Sequence, residues 1–318
     1  MITLYELHWS HFCEKIRMAL NYTGLPWKIE GIDAFKKVQL RQHPLPPHLT
    51  RYTVPAIFDD QTDQFVMDST PILRYLAAQY PAAPQLFSGD QANRDAIDAQ
   101  IIEFDTMIGL PARRFAYTQM ILECPSVLPE LFLSHRFGGV FNLPFLRFFA
   151  GNFLGMLLSK RFDFHRSESL GLYEALEQYL IGLAEKLEDR EFVVGTEFSA
   201  ADLSLAALIR PITVVPFFVE HPQLQGLFQR HREIVARWNG EGDFKYQIAI
   251  AKARQRKAPV RRKLRDISVA LPFNTDGKIA ANDQNNIWDW GMTAMPFHYM
   301  IGLRQRKVRQ MFASEGVR

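Results

Sequence analysis

Ser10-His11-Phe12-Cys13-Glu14-Lys15-Ile16-Arg17-Met18-Ala19-Leu20 is the stretch on which the fold turns. From Cys13 onward its pattern is helical. Ile16, Met18, Ala19 and Leu20 supply the apolar residues, and Glu14, Lys15 and Arg17 the polar ones. Gly24 suits the position after the last helical turn, and Pro26 forbids continuation. On the N-terminal side, Ile2 to Leu7 is a short β-prone run that predicts a strand, with His8 to Phe12 as the loop between. On the C-terminal side, Trp27 to Ile32 predicts a second strand. The order strand, helix, strand is a βαβ unit.

The next residues extend that unit. Residues 33–53 predict a helix followed by an irregular loop, because Pro44, Pro46 and Pro47 exclude regular structure there. Val54-Pro55-Ala56-Ile57-Phe58 predicts a strand opening at a proline, Asp59 to Asp63 a turn, and Phe65-Val66-Met67 the returning strand of a hairpin. Asp68-Ser69-Thr70-Pro71 predicts a helix start: capping side chains, then a proline in the first turn, where its missing N–H is harmless. Ile72, Leu73, Tyr75, Leu76 and Tyr80 carry the apolar face, and Pro81 and Pro84 end it.

A βαβ unit, a loop, a hairpin and a closing helix is the thioredoxin-like order. Three features sharpen it: a small side chain, Ser10, just before the Lys15-Ile16-Arg17-Met18-Ala19-Leu20 helix; Val54-Pro55 opening a strand; and Asp68-Ser69 opening the last helix. Together they resemble the N-terminal domain of the cytosolic glutathione transferases, most closely the serine-type tau and zeta classes. The resemblance implies an α/β plus all-α fold, a thioredoxin-like domain followed by a helical domain. The expected division is residues 1–80 for the glutathione-binding domain, 81–90 for a linker, 91–249 for the all-helical domain and 250–318 for a basic C-terminal extension that the resemblance does not cover.

The chemistry follows from the pKa of a thiol, near 8.5, which leaves it mostly protonated at neutral pH although the thiolate is the reactive form. A hydroxyl beside a helix N-terminus can donate to sulfur, and the helix N–H groups add partial positive charge. The resemblance makes Ser10 the catalytic residue, a hydrogen-bond donor to the glutathione thiolate. It also implies that Val54 and Pro55, the latter in the cis form, present backbone to the cysteinyl unit. Ser69 would receive the γ-glutamyl carboxylate at a helix N-terminus, and Asp68 the α-amino group. For the glycine carboxylate the cations at hand are Arg51 and Arg41. The sequence departs from the family at His11, where many members have proline after the serine, and at Thr53, where many have a cation before Val-Pro. Cys13 is a possible secondary thiol, read otherwise as a small packed side chain. Tyr5 reads as a strand residue.

Beyond residue 90, Ile97, Ile101, Phe104 and Ile108 recur at helical spacing, as do Leu172, Leu176, Leu180, Leu183 and Leu187. Between them lie nine of the chain's 25 phenylalanines: Phe132, Phe137, Phe141, Phe145, Phe148, Phe149, Phe153, Phe162 and Phe164. They read either as core or as the wall of an apolar co-substrate pocket. Residues 252–318 hold 14 basic and 5 acidic residues, while the other 251 hold 23 and 29. That basic tail either folds back on the acidic body or meets an anionic partner, membrane or nucleic acid. Lys252 to Arg265 has eight basic residues, no acid and no interleaved aromatic, which makes nucleic acid an unexpected partner and a solvated helix face the expected reading. Trp288, Trp290, Phe297 and Tyr299 read as an anchor packing the tail onto the body.

Composition closes other routes. Two cysteines, Cys13 and Cys124, support neither a disulfide framework nor a four-cysteine zinc site, and no metal is expected. There is no Gly-rich dinucleotide or phosphate-loop motif. The first residues show no secretory pattern and no apolar run is of spanning length, so a cytoplasmic setting without a transmembrane segment is expected. The expectation is a glutathione transferase, a detoxifying homodimer that uses glutathione as co-substrate against a hydrophobic small-molecule electrophile. The alternative is a non-catalytic carrier or interaction protein that keeps the fold and uses the basic tail. Glutathione-dependent disulfide exchange through Cys13 is a third. Ser199-Ala200-Ala201-Asp202 reads as a capping box opening an apolar helix, similar to the motif that starts the family's buried core helix. Replacing Asp202 with alanine is expected to lower stability by about 1 kcal/mol or more, measured by chemical denaturation.

Overall fold

The computed structural model describes residues 1–47, 49–137, 139, 143–161, 169–238 and 244–256. The predicted βαβ unit forms as β1 (Ile2–Glu6), α1 (His11–Thr23) and β2 (Trp27–Gly31). α1 stops where the sequence says it must, at Gly24, whose φ of +66° lies in the left-handed region open to glycine. The hairpin forms as β3 (Ala56–Asp59) and β4 (Gln64–Met67), and α2 (Ser69–Gln79) follows from Asp68. The strand order is β2-β1-β3-β4, with β1 parallel to β2 and antiparallel to β3, and β3 antiparallel to β4. This is the expected thioredoxin-like arrangement.

Residues 33–53 differ from expectation. Among the described residues there, the only helical segment is a short 3-10 turn, Val38–Gln42. Asp33 turns the chain by accepting the Phe35 and Lys36 N–H groups, and Lys37 sits at a left-handed φ of +48°. These local bonds satisfy the backbone in place of a helix. The segment instead covers one sheet face, where Tyr5, Ile32, Leu40, Ala56 and Met67 form a small core and the His43 ring stacks on Phe58 and Phe65.

The other sheet face receives α1 and, beyond it, the helical half: α3 (Gln91–Phe104), α4 (Leu110–Glu123), α5 (Leu128–Phe137), α6 (Pro144–Arg161), α7 (Ser169–Lys186), α8 (Ala200–Ile209), the short α9 (Pro216–Val219), α10 (Gln225–Trp238) and α11 (Lys245–Arg256). One core runs through both halves, from Ile2 and Leu4 through Ile16 and Leu20 to Leu203 and Leu208. α8 is buried along its whole length, and its start carries both halves of the predicted capping box. Asp202 accepts from the Ser199 and Val193 N–H groups at 3.0 and 2.9 Å. The spacing Ile97, Ile101, Phe104, Ile108 is buried throughout, but α3 passes into a π-helical turn, Asp105–Gly109, before α4.

α1 is buried on all sides, the charged residues Glu14, Lys15 and Arg17 included. Each has a partner. Glu14 accepts from Arg210 Nε at 2.6 Å, and Arg210 also donates to Gln247 and lies over the Phe244 ring. The Lys15 ammonium meets Asp105 at 2.7 Å. Arg17 donates to both Glu6 oxygens at 3.0 and 3.1 Å. A buried pair that loses one partner is left with an uncompensated charge. Arg210→Leu is therefore expected to cost about 3–5 kcal/mol, and the double change Glu14→Leu with Arg210→Leu markedly less, in urea unfolding of both variants. Equal losses in the two would show that packing and not charge sets the cost.

Candidate functional site

Strand register assembles the site. Tyr5 pairs with Ala56, and Ala56 with Met67. The end of β1, the start of β3 and the end of β4 therefore lie side by side. The residues just outside them are the Ser10 loop, Val54-Pro55 and Asp68-Ser69, which the sequence separates by nearly sixty positions. The Val54–Pro55 bond is cis, and the Pro55 carbonyl accepts the Asp68 N–H at 3.0 Å, tying two of the three segments together.

Ser10 is the N-cap of α1, half-buried, and its Oγ accepts the Cys13 N–H at 3.4 Å. Capping occupies a lone pair and leaves the hydroxyl proton to donate elsewhere. The loop is held from behind. Ser10 N–H donates to the Leu7 carbonyl at 2.8 Å, and Arg17 donates to the His8 carbonyl at 3.2 and 3.3 Å. Phe244 lies under the Arg17 guanidinium as well as that of Arg210, so the entry to α11 braces the same loop. Cys13, one turn in, is fully buried. Burial first, and then the charge of Glu6, push its thiol up to about 12.

Asp68 caps α2 by accepting the Ser69 N–H at 2.7 Å and sits at a φ of +75°, a conformation uncommon for a residue with a side chain. Its side chain is exposed; Ser69 beside it is fully buried. The Ser69 Oγ has no hydrogen-bond partner among the described residues. Next to it, Thr70 Oγ1 donates to Asp105 at 3.0 Å, and the other Asp105 oxygen receives Lys15. The π-helical turn thus delivers a carboxylate of the helical half to the starts of both α1 and α2.

Arg51 and Arg41 are both exposed. A third cation, Lys37, was not singled out by the sequence. It donates to the Tyr52 carbonyl, close enough to Arg51 that, after burial, the Arg51 charge is the second cause lowering its pKa. Its place depends on the left-handed turn at Lys37, which no spacing rule anticipates.

Of the nine phenylalanines, Phe132 alone among the described ones approaches the site. It packs on Trp9, Phe35 and Tyr117, with ring centroids 5.4, 6.0 and 5.9 Å away. Phe145, Phe148, Phe149 and Phe153 are exposed on α6, neither core nor wall of this site. The Phe137 side chain, and Phe141, Phe162 and Phe164 altogether, lie outside the described residues, as do Trp288, Trp290, Phe297 and Tyr299. Among the described residues no group of three or more His, Cys, Asp or Glu side chains is placed to hold a metal ion.

His11, the departure from the family pattern, is buried, and its Nε2 donates to the Gly109 carbonyl at 2.9 Å across the two halves. Phe12 fills the space over Gly109, where a side chain would collide with its ring. Burial, then the Arg113 charge, push the His11 pKa down to about 3. Burial does the same to His231, to about 4, its ring bonded to the Ala206 carbonyl.

Comparison with known proteins places a match on the first part of the chain. Residues 4–84 match the family model for the glutathione S-transferase N-terminal domain. No curated protein matches the chain by sequence. Among solved structures, glutathione S-transferase unclassified 2 from Bombyx mori is 21% identical with a TM-score of 0.51, covering 79% of this chain and 98% of its own. The β-etherase LigF from Sphingobium sp. strain SYK-6 is 17% identical with a TM-score of 0.52, covering 80% and 99%. At these identities the likeness is one of fold.

The two buried histidines set an acid limit. Unfolded, each takes up a proton near pH 6.5; folded, they resist until about 4 and about 3. The unfolded state then binds more protons, so stability falls as pH drops from about 6.5 to about 4, by about 1.4 kcal/mol per pH unit for each histidine. Urea midpoints across that range are expected to show this slope, and His11→Gln to flatten it.

Proposed function

Starting from residues 4–84 as a glutathione S-transferase N-terminal domain, on a chain that carries the superfamily's two-part fold, we propose that the protein is a serine-type glutathione transferase. The observation that carries this is the Ser69 hydroxyl: fully buried, without a partner among the described residues, at the N-terminus of α2 and at the same end of the sheet as Ser10. A buried hydroxyl is seldom left unsatisfied. A carboxylate arriving there would meet the hydroxyl, the helix N–H groups and the positive end of the helix dipole.

The other residues fit the remaining groups of the tripeptide. The exposed Asp68 carboxylate suits an α-ammonium. Val54, ahead of Pro55, offers backbone to the cysteinyl unit, and Arg51, with Lys37 beside it, suits the glycine carboxylate. When bound, glutathione supplies the sulfur nucleophile. Ser10 donates its free proton to that sulfur, and the N-terminal amides of α1 add positive potential, so the thiolate is favoured at neutral pH. Trp9, Phe35, Tyr117 and Phe132 offer an apolar surface for the electrophile. Cys13 takes no part, because a thiol held near 12 stays protonated. A homodimer in a cytoplasmic, detoxifying setting belongs to the same proposal. The second reading, an interaction protein on the same fold, draws on the aromatic face of α6, which this chemistry leaves unused.

Calorimetry with glutathione, followed by turnover of an aryl halide, tests the proposal. Wild type is expected to bind and to turn over. Ser69→Ala is expected to weaken binding about tenfold or more, the worth of a hydrogen bond to a charged group. Ser10→Ala is expected to bind nearly as well, to lose kcat and to raise the pKa of the bound thiol seen by thiolate absorbance. No binding at millimolar glutathione would remove the proposal. Binding without turnover over a broad electrophile panel would leave the carrier.

A further inference from the structure

We infer that two copies of the chain pair through the aromatic face of α6, with Phe149 meeting its own counterpart on a two-fold axis. α6 is pinned on one side. Gly151 lies against the Pro125–Val127 turn so closely that any side chain would run into the Pro125 carbonyl, and Gly155 lies over Ile121 and Leu128. The opposite side carries Phe145, Phe148, Phe149 and Phe153, between 45 and 68% exposed, with Leu143 exposed just ahead. These rings are already ordered on one another. Phe145 and Phe148 each pack edge-to-face on Phe149, with centroids 4.9 and 5.5 Å away. The polar residue among them, Asn152, donates to the Phe148 carbonyl of its own helix at 2.8 Å.

Size, charge and spacing point to a second copy as the occupant. Half-exposed rings of this size present roughly 100 Å² each, so with Leu143 one copy offers about 500 Å² of apolar surface, large for a face that meets only water. A pair of copies would bury about 1,000 Å², the size at which specific interfaces begin. Arg147 is the only charged residue from Leu143 to Ser159. It stands two positions from both Phe145 and Phe149, off their face, and is half-buried. A face without charge brings no like charges together when it meets its own copy, as an isologous contact requires. Phe145, Phe149 and Phe153 stand at intervals of four, about 6 Å apart along the axis. Such a row is unchanged when turned end for end. A two-fold axis at Phe149 therefore sets each Phe145 against the Phe153 of the second copy, at a repeat that suits ring–ring contact. An unrelated partner would have to supply that same spacing, which a second copy already has. The contact needs only the fold and is independent of the glutathione chemistry.

Sedimentation equilibrium of the full chain tests this. Wild type is expected to dimerise. Phe145→Ser with Phe149→Ser is expected to weaken the dimer about a hundredfold or more, because each change counts on both copies. Phe149→Trp is expected to keep it, which separates loss of the face from loss of the fold. Helix axes about 8–10 Å apart bring two facing Cα atoms to roughly 5 Å, within disulfide reach. Phe149→Cys is therefore expected to cross-link to its own counterpart on mild oxidation, while the native Cys13 and Cys124 are buried. Ile102→Cys, at an exposed position on α3, is expected to stay uncross-linked. A monomer at every concentration reached, a dimer that the double serine variant leaves intact, or cross-linking through Ile102→Cys in place of Phe149→Cys overturns the inference. So does binding of a monomeric chain to phosphatidylcholine vesicles that the double serine variant loses, which assigns the face to lipid.

Discussion

The structure depends on keeping three charges of one helix out of water. α1 lies between the sheet and the helical half, so Glu14, Lys15 and Arg17 have no face on which to reach solvent. Removing a charge from water costs several kcal/mol unless it is paired and hydrogen-bonded. Here the partners come from three places: Arg210 beyond α8, Asp105 in the π-helical turn and Glu6 at the end of β1. Two of the three pairs join the halves of the molecule. The arrangement therefore fixes how the helical half sits against α1, and with it what surrounds the N-terminus where Ser10 caps the helix.

The same pairs lead into the site. Arg17, held by Glu6, also donates to the His8 carbonyl and so fixes the loop two residues before Ser10. Asp105, held by Lys15, spends its second oxygen on Thr70 at the start of α2. Structural ion pairs and site geometry are thus one network. Beside it, Ser69 has bonded neighbours on both sides, while its own hydroxyl stays buried without a partner among the described residues. A buried hydroxyl with no partner among the described residues, at a helix N-terminus, is what the proposed function draws on.

Much of this was legible in the sequence, for local reasons. Gly24, Pro26, the Asp68-Ser69-Thr70-Pro71 cap and the Ser199–Asp202 box act within a few residues, and each stands where those rules put it. What was not legible depends on distant partners. Glu14, Lys15 and Arg17 read as the polar residues of α1 because nothing near them announces Arg210, Asp105 or a covering domain. Residues 33–53 lost their helix to an Asp33 turn and a left-handed Lys37, which also put Lys37 beside Arg51 unforeseen. The phenylalanines mislead for a related reason. Helical spacing shows that Phe145, Phe149 and Phe153 share a face, but a face of phenylalanine reads as buried until the fold shows which side of α6 Gly151 presses inward.

Ser10 and Cys13 show how three residues of separation decide the chemistry. Both lie at the start of one helix and both could in principle serve sulfur chemistry. Ser10 stands outside the first turn, half-exposed, where its oxygen accepts a backbone N–H and keeps a proton to give. Cys13 stands inside that turn, facing the core, where burial and then the Glu6 charge together outweigh the Ser10 and Leu7 hydrogen bonds and Arg17 that favour its thiolate. The helix dipole alone would lower the pKa of a thiol at this position; burial outweighs it. Under the proposed function, Ser10 would stabilise a negative sulfur that arrives from solvent, while burial keeps the chain's own sulfur neutral.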